Sequence, residues 1–232
     1  MNRNFEVVVV DSRSSDGSVE ILKKYEAEKK ITLIEQKCSR GKGRQIAFQA
    51  STGEFVISNI DLDEVYPPEM ISSVLELEPY ARENLVMVNT SWQRLGAHGF
   101  TLAGRKILEN LGGWRDLNYC EDIELWRRAA RAGRYVWTAR PMSVTKDAHG
   151  ERFTVLGKAR MRYTVYLSRL MVGTPSFGES ERITTGQLII YYIARFVALF
   201  KTSFKEKDFP DFDRFDRKYQ IVEGELQKQQ SS

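Results

Sequence analysis

Val7, Val8, Val9 and Val10 run without interruption into Asp11 and then into a small polar stretch ending at Ser18. β-branched side chains crowd a helix but pack well on a pleated surface, and an uncharged run of this kind suits a strand covered on both faces. Residues 5–10 therefore read as a strand, 18–30 as a helix, 31–34 as a second strand and 44–50 as a second helix. Strand and helix in strict alternation predict an α/β fold with parallel pairing, because a parallel neighbour needs a crossover and the crossover is a helix. In such sheets ligands gather outside the carboxyl ends of the strands, so the loops that follow them carry the functional interest.

With 232 residues, 42% hydrophobic and 28% charged, the chain suits one large domain, or a domain of about 150 residues with an extension. No run approaches the length of uncharged apolar sequence that crosses a bilayer. The polar start at residues 1–6 leads straight into the first strand, which predicts a cytoplasmic chain in which Cys38 and Cys120 stay reduced. The net charge of +4 permits contact with phosphates or an anionic membrane face without requiring either. No repeat or nucleic-acid-binding signature is present.

Three segments carry candidate chemistry. The apolar stretch Phe55, Val56, Ile57 and Ile60 ends in Asp61-Leu62-Asp63, two carboxylates at a strand end; hard oxygen ligands of this kind suit Mg²⁺ or Mn²⁺, and a solvated acidic turn is the competing reading. In the loop 38–44, Gly41, Lys42, Gly43 and Arg44 stand at a helix start, where free amides and basic side chains favour an anion; a flexible basic turn explains the same residues. Gly112-Gly113-Trp114 leads to Cys120-Glu121-Asp122-Ile123-Glu124-Leu125-Trp126, an acidic helix start followed by an apolar stripe. Early carboxylates suit the helix dipole, and one facing a cleft suits general-base chemistry. His149, after a strand at 135–138, is a third metal-ligand candidate or a structural histidine.

In this order the segments resemble glycosyltransferase family 2, the inverting nucleotide-sugar enzymes of the A-type fold. The resemblance rests on the valine run with Asp11 and the following Ser14-Ser15-Asp16-Gly17-Ser18, on Gly41-Lys42-Gly43-Arg44, on Ala50-Ser51-Thr52-Gly53-Glu54, on Asp61-Leu62-Asp63, and on the Gly-Gly-aromatic loop before Glu121-Asp122-Ile123-Glu124-Leu125. It implies a Rossmann-like nucleotide-diphospho-sugar transferase fold with a mostly parallel mixed sheet at residues 1–155. It also implies Mg²⁺ or Mn²⁺ on Asp61 and Asp63, Asp122 as catalytic base, and Glu121 and Trp114 against the acceptor. Asp11, Ser12, Arg40, Lys42, Arg44 and Asp61 would face the nucleotide-sugar donor. Ser12 stands where many members carry a second aspartate, which leaves the usual uracil contact an open question. The family's first strand-helix unit, which lies inside its sheet, is missing ahead of residues 5–10; a late start, a strand from another chain, or a sheet closed around the gap are the three expectations.

Residues 156–232 read as a helical extension. Helical stretches are predicted at 157–172 and 186–205, and the second repeats Ile189, Tyr192, Ile193, Phe196, Leu199 and Phe200 at helical spacing with Arg195 and Lys201 nearby. Lying on an anionic membrane and packing on the domain are both open readings, and residues 205–232 read as a mobile tail. The function expected is sugar transfer from a nucleotide donor to a lipid-linked, glycan or protein acceptor, with possible homo-oligomer formation. A noncatalytic or partner-dependent nucleotide-sugar-binding protein is the alternative, and a nucleotidyltransferase a more distant one that leaves the Gly-Gly-Trp and Glu-Asp segments unexplained.

Overall fold

The computed structural model describes residues 5–60, 64–91, 99–142, 145–146, 154–173, 183–201, 203–204 and 212–221. The strand and helix alternation is present. β1 (Val8–Asp11) leads to α1 (Ser18–Ala27), β2 (Thr32–Glu35), α2 (Arg40–Ala50) and β3 (Phe55–Ser58). After β4 (Glu64–Val65) come α3 (Glu69–Glu83), β5 (Leu85–Asn89), β6 (Gly99–Gly104), α4 (Arg105–Leu111) and α5 (Glu121–Arg131). β7 (Tyr135–Ala139), β8 (Thr145–Lys146), α6 (Val155–Val172) and α7 (Thr185–Ala198) follow, and a single 3-10 turn at Arg217–Tyr219 ends the described order.

The central sheet runs β3-β6-β5-β7. β5 is its spine: it pairs antiparallel with β6, Leu85 opposite Ala103, and parallel with β7, Leu85 opposite Tyr135. All five residues of β5 are buried, as the covered-strand pattern demands. Alternate side chains feed two separate cores. Leu85 and Met87 join Leu108, Trp114, Leu125 and Trp126, whereas Val86 and Val88 join Met70, Val74, Leu77 and Ala81 of α3. Met70, Val74, Leu77 and Ala81 recur at helical spacing and form α3's buried stripe.

The pairing is less parallel than the sequence suggests. β1–β2 and β5–β7 are parallel, but β6 runs against both of its neighbours, β3 and β5, and the separate β4–β8 pair is antiparallel as well. β1 and β2 form a sheet of their own, with Val8 opposite Thr32, and no described strand hydrogen-bonds β1 to β3. Phe5 and Val7 at the entry to β1, and Ile21 and Tyr25 on α1, remain exposed.

Residues 212–221 depart from the mobile tail expected of them, because they pack on β7. Ile221 is buried and its amide donates to the Trp137 carbonyl at 2.8 Å. The Trp137 indole N–H donates to the Asp216 carbonyl at 2.9 Å, and the Tyr135 hydroxyl to the Arg214 carbonyl at 2.9 Å. Phe212 and Phe215 set their rings edge-on against Tyr135 and Trp137. If this segment belongs to the core, Ile221→Ala will cost about 2 to 4 kcal/mol in urea unfolding, the usual loss for a buried isoleucine. A loss under about 0.5 kcal/mol, typical of surface positions, would return the segment to the surface.

Candidate functional site at the start of α5

The chain enters α5 through Cys120, whose φ of 60° turns the backbone left-handed just before two consecutive carboxylates. Glu121 is 2% exposed and forms an ion pair with the Arg44 guanidinium of α2, with Arg40 Nε 3.9 Å from the same oxygen. Its other oxygen, Oε2, is buried without a hydrogen-bond partner among the described residues. Burial pushes the Glu121 carboxyl up to about 7, and neighbouring Asp122 pushes it in the same direction, against the opposing pull of Arg44 and Arg40. Glu124, one turn on, is held by a two-pronged contact from Arg128 at 2.7 Å, and Arg128 also donates to the carbonyls of Leu111 and Gly113, tying α5 to the end of α4.

Asp122 is half-buried. Its Oδ1 accepts from the Ile123 amide at 2.7 Å, and its Oδ2 lies 3.4 Å from Asn59 Nδ2. Asn59 follows β3 with a φ of 65°, and its Oδ1 is buried without a hydrogen-bond partner among the described residues. The end of β3 and the start of α5 thus meet, with Asp61 and Asp63 immediately beyond Asn59 in sequence. Asp61, Asp63 and His149 themselves lie outside the described residues. Among the described residues no cluster of three or more acidic, histidine or cysteine side chains forms a metal site.

The first turn of α2 is used differently from the anion cradle expected of it. Gly41 N donates to the Leu117 carbonyl at 2.8 Å, and Lys42 N donates to the capping Ser39 hydroxyl at 3.1 Å. The Ser39 hydroxyl in turn donates to the Asp116 carboxylate. These two amides therefore have internal partners. A Cβ at Gly41 would stand 2.0 Å from the Arg115 carbonyl oxygen, so the glycine admits close contact between helix and loop. Across that contact Gln45 Oε1 accepts from the Trp114 amide at 2.9 Å, where Gly113, with φ at 64°, leaves room for it. Of the basic side chains, Arg44 is committed to Glu121, Arg40 lies over the Tyr119 ring at 5.1 Å, and Lys42 is exposed.

Trp114 corrects the expectation of a sugar-stacking residue. It is 5% exposed and set edge-on against Phe48 in the core at 5.9 Å, so its ring faces are already covered. Asp11 is buried at the end of β1, where its Oδ2 accepts from the Ser14 amide at 2.8 Å. The Ser12 hydroxyl donates to the Cys38 carbonyl at 2.9 Å and accepts from the Cys38 amide at 3.1 Å, stitching together the loops after β1 and β2. An open cavity of about 410 Å³ near Gln45, Phe48 and Arg105 includes none of Asp11, Glu121 and Asp122. Sequence reasoning gives no role to Asn59 or Gln45. Asn59 carried one signal, its place directly before the acidic pair; an isolated helical glutamine such as Gln45 carries none.

The fold is that of an A-type glycosyltransferase. The mannosyltransferase PcManGT from Pyrobaculum calidifontis, solved in complex with GDP-Man and Mn²⁺, matches 83% of this chain with a TM-score of 0.52 at 20% identity. TarS of S. aureus, solved over residues 1–349, matches 83% of the chain with a TM-score of 0.49 at 14% identity. The match covers 60% of the mannosyltransferase and 63% of that TarS chain, so this chain spans under two thirds of either. No curated protein matches it. The model of the glycosyl transferase family 2 domain matches residues 1–116, half of the sequence, and the chain belongs to that family. The matched segment contains β1, the α2 loop, Asp61 and Asp63, and ends before Glu121 and Asp122.

Two outcomes follow from this geometry. Gly41→Ala will destabilise the fold by about 2 kcal/mol or more, because the added carbon meets backbone, whereas Gly43→Ala, with its nearest neighbour at 3.4 Å, will change stability by less than about 1 kcal/mol in urea titration. The Glu121 carboxyl has a raised value in the folded state, so folding favours its protonated form. The stability it contributes is complete below about 4.5 and is lost as pH rises to about 7. A urea-midpoint series will fall across that window in the native chain and flatten in Glu121→Gln.

Proposed function

We propose that this chain is a metal-dependent inverting glycosyltransferase that moves a sugar from a nucleotide-sugar donor to a lipid-linked, glycan or protein acceptor. The observation that carries the reading is Asp122 standing 3.4 Å from Asn59, so that a carboxylate at a helix start meets the strand end from which Asp61 and Asp63 continue. Family membership supplies the reaction class, and the GDP-Man and Mn²⁺ bound to the mannosyltransferase are in keeping with it.

The residues around the acidic pair suit a divalent ion: Asn59 Oδ1 is a buried acceptor without a partner among the described residues, and Asp61, Asp63 and Asp122 are hard oxygen donors. Mg²⁺ or Mn²⁺ held by Asp61 and Asp63, with His149 as a further ligand, supplies charge compensation for the donor diphosphate. Asp122, in its carboxylate form, accepts the proton of the acceptor hydroxyl. That oxygen attacks the anomeric carbon as the bond to the diphosphate oxygen breaks, the electron pair leaves with the nucleoside diphosphate, and the configuration inverts. Glu121 is a positioning residue: paired with Arg44 it fixes the first turn of α5 and with it the direction of Asp122. Asp11, at the carboxyl end of β1, faces the nucleotide, and exposed Arg40 and Lys42 attract the diphosphate from solvent.

The second reading, a partner-dependent nucleotide-sugar-binding protein, is favoured by one observation. β1–β2 and the central sheet are not joined by hydrogen bonds among the described residues, and Phe5, Val7, Ile21 and Tyr25 are exposed on the β1 side.

Asp122→Asn tests the assignment of the base. It will leave donor binding within about twofold and lower sugar transfer about a hundredfold or more, the ordinary contribution of a general base. Transfer that survives the substitution, or binding lost in equal measure, would remove Asp122 from the role. Asp63→Ala will weaken donor binding in the presence of Mn²⁺ about tenfold or more, since even outer-shell partners of a metal contribute that much, and will make binding indifferent to chelator. Chelator sensitivity that persists in the variant would contradict the metal assignment.

A further inference from the structure

α6 and α7 pack against each other, with the Tyr166 and Tyr191 rings edge-on at 5.9 Å. The inward face of α7 is made by Gln187, Tyr191 and Ala194. Its outward face is apolar. Ile189, Tyr192, Ile193 and Phe196 follow one helical stripe and are 57%, 61%, 53% and 64% exposed, and Phe200 just beyond the helix extends the stripe at 76%. Isolated exposed apolar residues need no explanation, but a contiguous stripe of large ones marks a surface that meets something. No helix among the described residues is long and apolar enough to cross a membrane.

The charge of the same helix pair identifies the occupant. Within residues 154–173 and 183–201 the charged side chains are Lys158, Arg160, Arg162, Arg169, Arg195 and Lys201, with no acid among them. The two acids of the connecting segment, Glu179 and Glu181, lie outside the described residues. The whole chain carries only +4, so its basic excess is concentrated in this element. Arg195 stands beside the stripe on α7 and Lys201 just beyond the helix end, next to Phe200, where long stems reach outward while the apolar rings point down. A large apolar face flanked by basic residues fits the boundary of an anionic bilayer, whereas a protein groove would give no reason for uniform positive charge.

We propose that α6 and α7 form a docking surface for an anionic lipid bilayer, with Ile189, Tyr192, Ile193, Phe196 and Phe200 entering the headgroup boundary and the basic side chains holding lipid phosphates. The helix pair is tied to α5 by Arg127, which donates to the Val172 carbonyl at the end of α6 at 2.6 Å. Docking therefore sets the helix that carries Asp122 relative to the bilayer, the arrangement a lipid-linked acceptor requires; this last consequence rests on the sugar-transfer reading, and the docking itself does not.

Flotation of the full chain with vesicles tests it, using phosphatidylcholine alone and phosphatidylcholine mixed equally with phosphatidylglycerol, at low and high salt, with no donor or acceptor present. The expected result is binding to the anionic vesicles, release by high salt and little binding to the neutral ones. Ile193→Ser with Phe196→Ser will weaken binding about tenfold or more, and Arg195→Gln and Lys201→Gln about fivefold each. Should the first pair fail to fold, Ile189→Ser with Tyr192→Ser serves instead. Absence of binding, or equal binding to neutral and anionic vesicles, overturns the proposal. So does a monomer–dimer equilibrium in sedimentation that the stripe variants abolish without altering vesicle binding, which would assign the stripe to a second copy of the chain. Because no sugar chemistry enters the measurement, a failure here leaves the transfer reading standing, and a failure of transfer leaves this one standing.

Discussion

The burial of the Glu121 carboxylate against Arg44 ties together elements that the chain order keeps apart. α2 follows the small β1–β2 sheet, and α5 lies between β6 and β7 of the central sheet in the chain, so the pair joins an element of one sheet to an element of the other. A buried acid of this kind is stabilised only while its partner stays in place. Its remaining oxygen has no hydrogen bond among the described residues, and burial already drives the group toward its neutral form. The contact is possible because α2 comes unusually close to the 113–117 loop, and Gly41 and Gly113 permit that approach by having no side chain. A helix with ordinary residues at those positions would stand off, and Arg44 would lose its reach to Glu121.

This arrangement divides the labour of the two neighbouring carboxylates. Glu121 is enclosed by Arg44 and Arg40; Asp122, half-buried and turned toward Asn59, is the one left facing the end of β3. Two like charges on adjacent residues would oppose each other, and the upward displacement of the Glu121 carboxyl lessens that opposition near neutral pH. The early acids of α5 also suit its positive end, so dipole and site chemistry favour the same residues.

The alternation of strands and helices was legible because valine runs and helical stripes report burial directly. Asp122 stands out as a candidate in the sequence because the Glu-Asp segment follows a Gly-Gly-aromatic loop, an order more specific than any one residue. Trp114 misled because a tryptophan after two glycines reads equally as a binding platform or as core, and only its contact with Phe48 decides. The amides of the basic loop misled for a similar reason: glycines at a helix start serve anion binding and close packing alike, and the Gly41 amide meets the Leu117 carbonyl instead of a ligand. Residues 212–221 look polar and tail-like, yet their aromatic side chains find β7, a long-range pairing with no local periodicity to announce it. The antiparallel course of β6 was hidden because a buried strand looks the same in either direction.

The most direct measurement of the central claim is calorimetric titration of the purified chain with a panel of nucleoside diphosphates and nucleotide sugars, first with Mn²⁺ and then with chelator. The account predicts that at least one nucleotide sugar binds with Mn²⁺ and is released by chelator. A folded protein that binds no member of the panel, or binds one equally well with chelator, would contradict the metal-dependent donor site on which the proposed transfer depends.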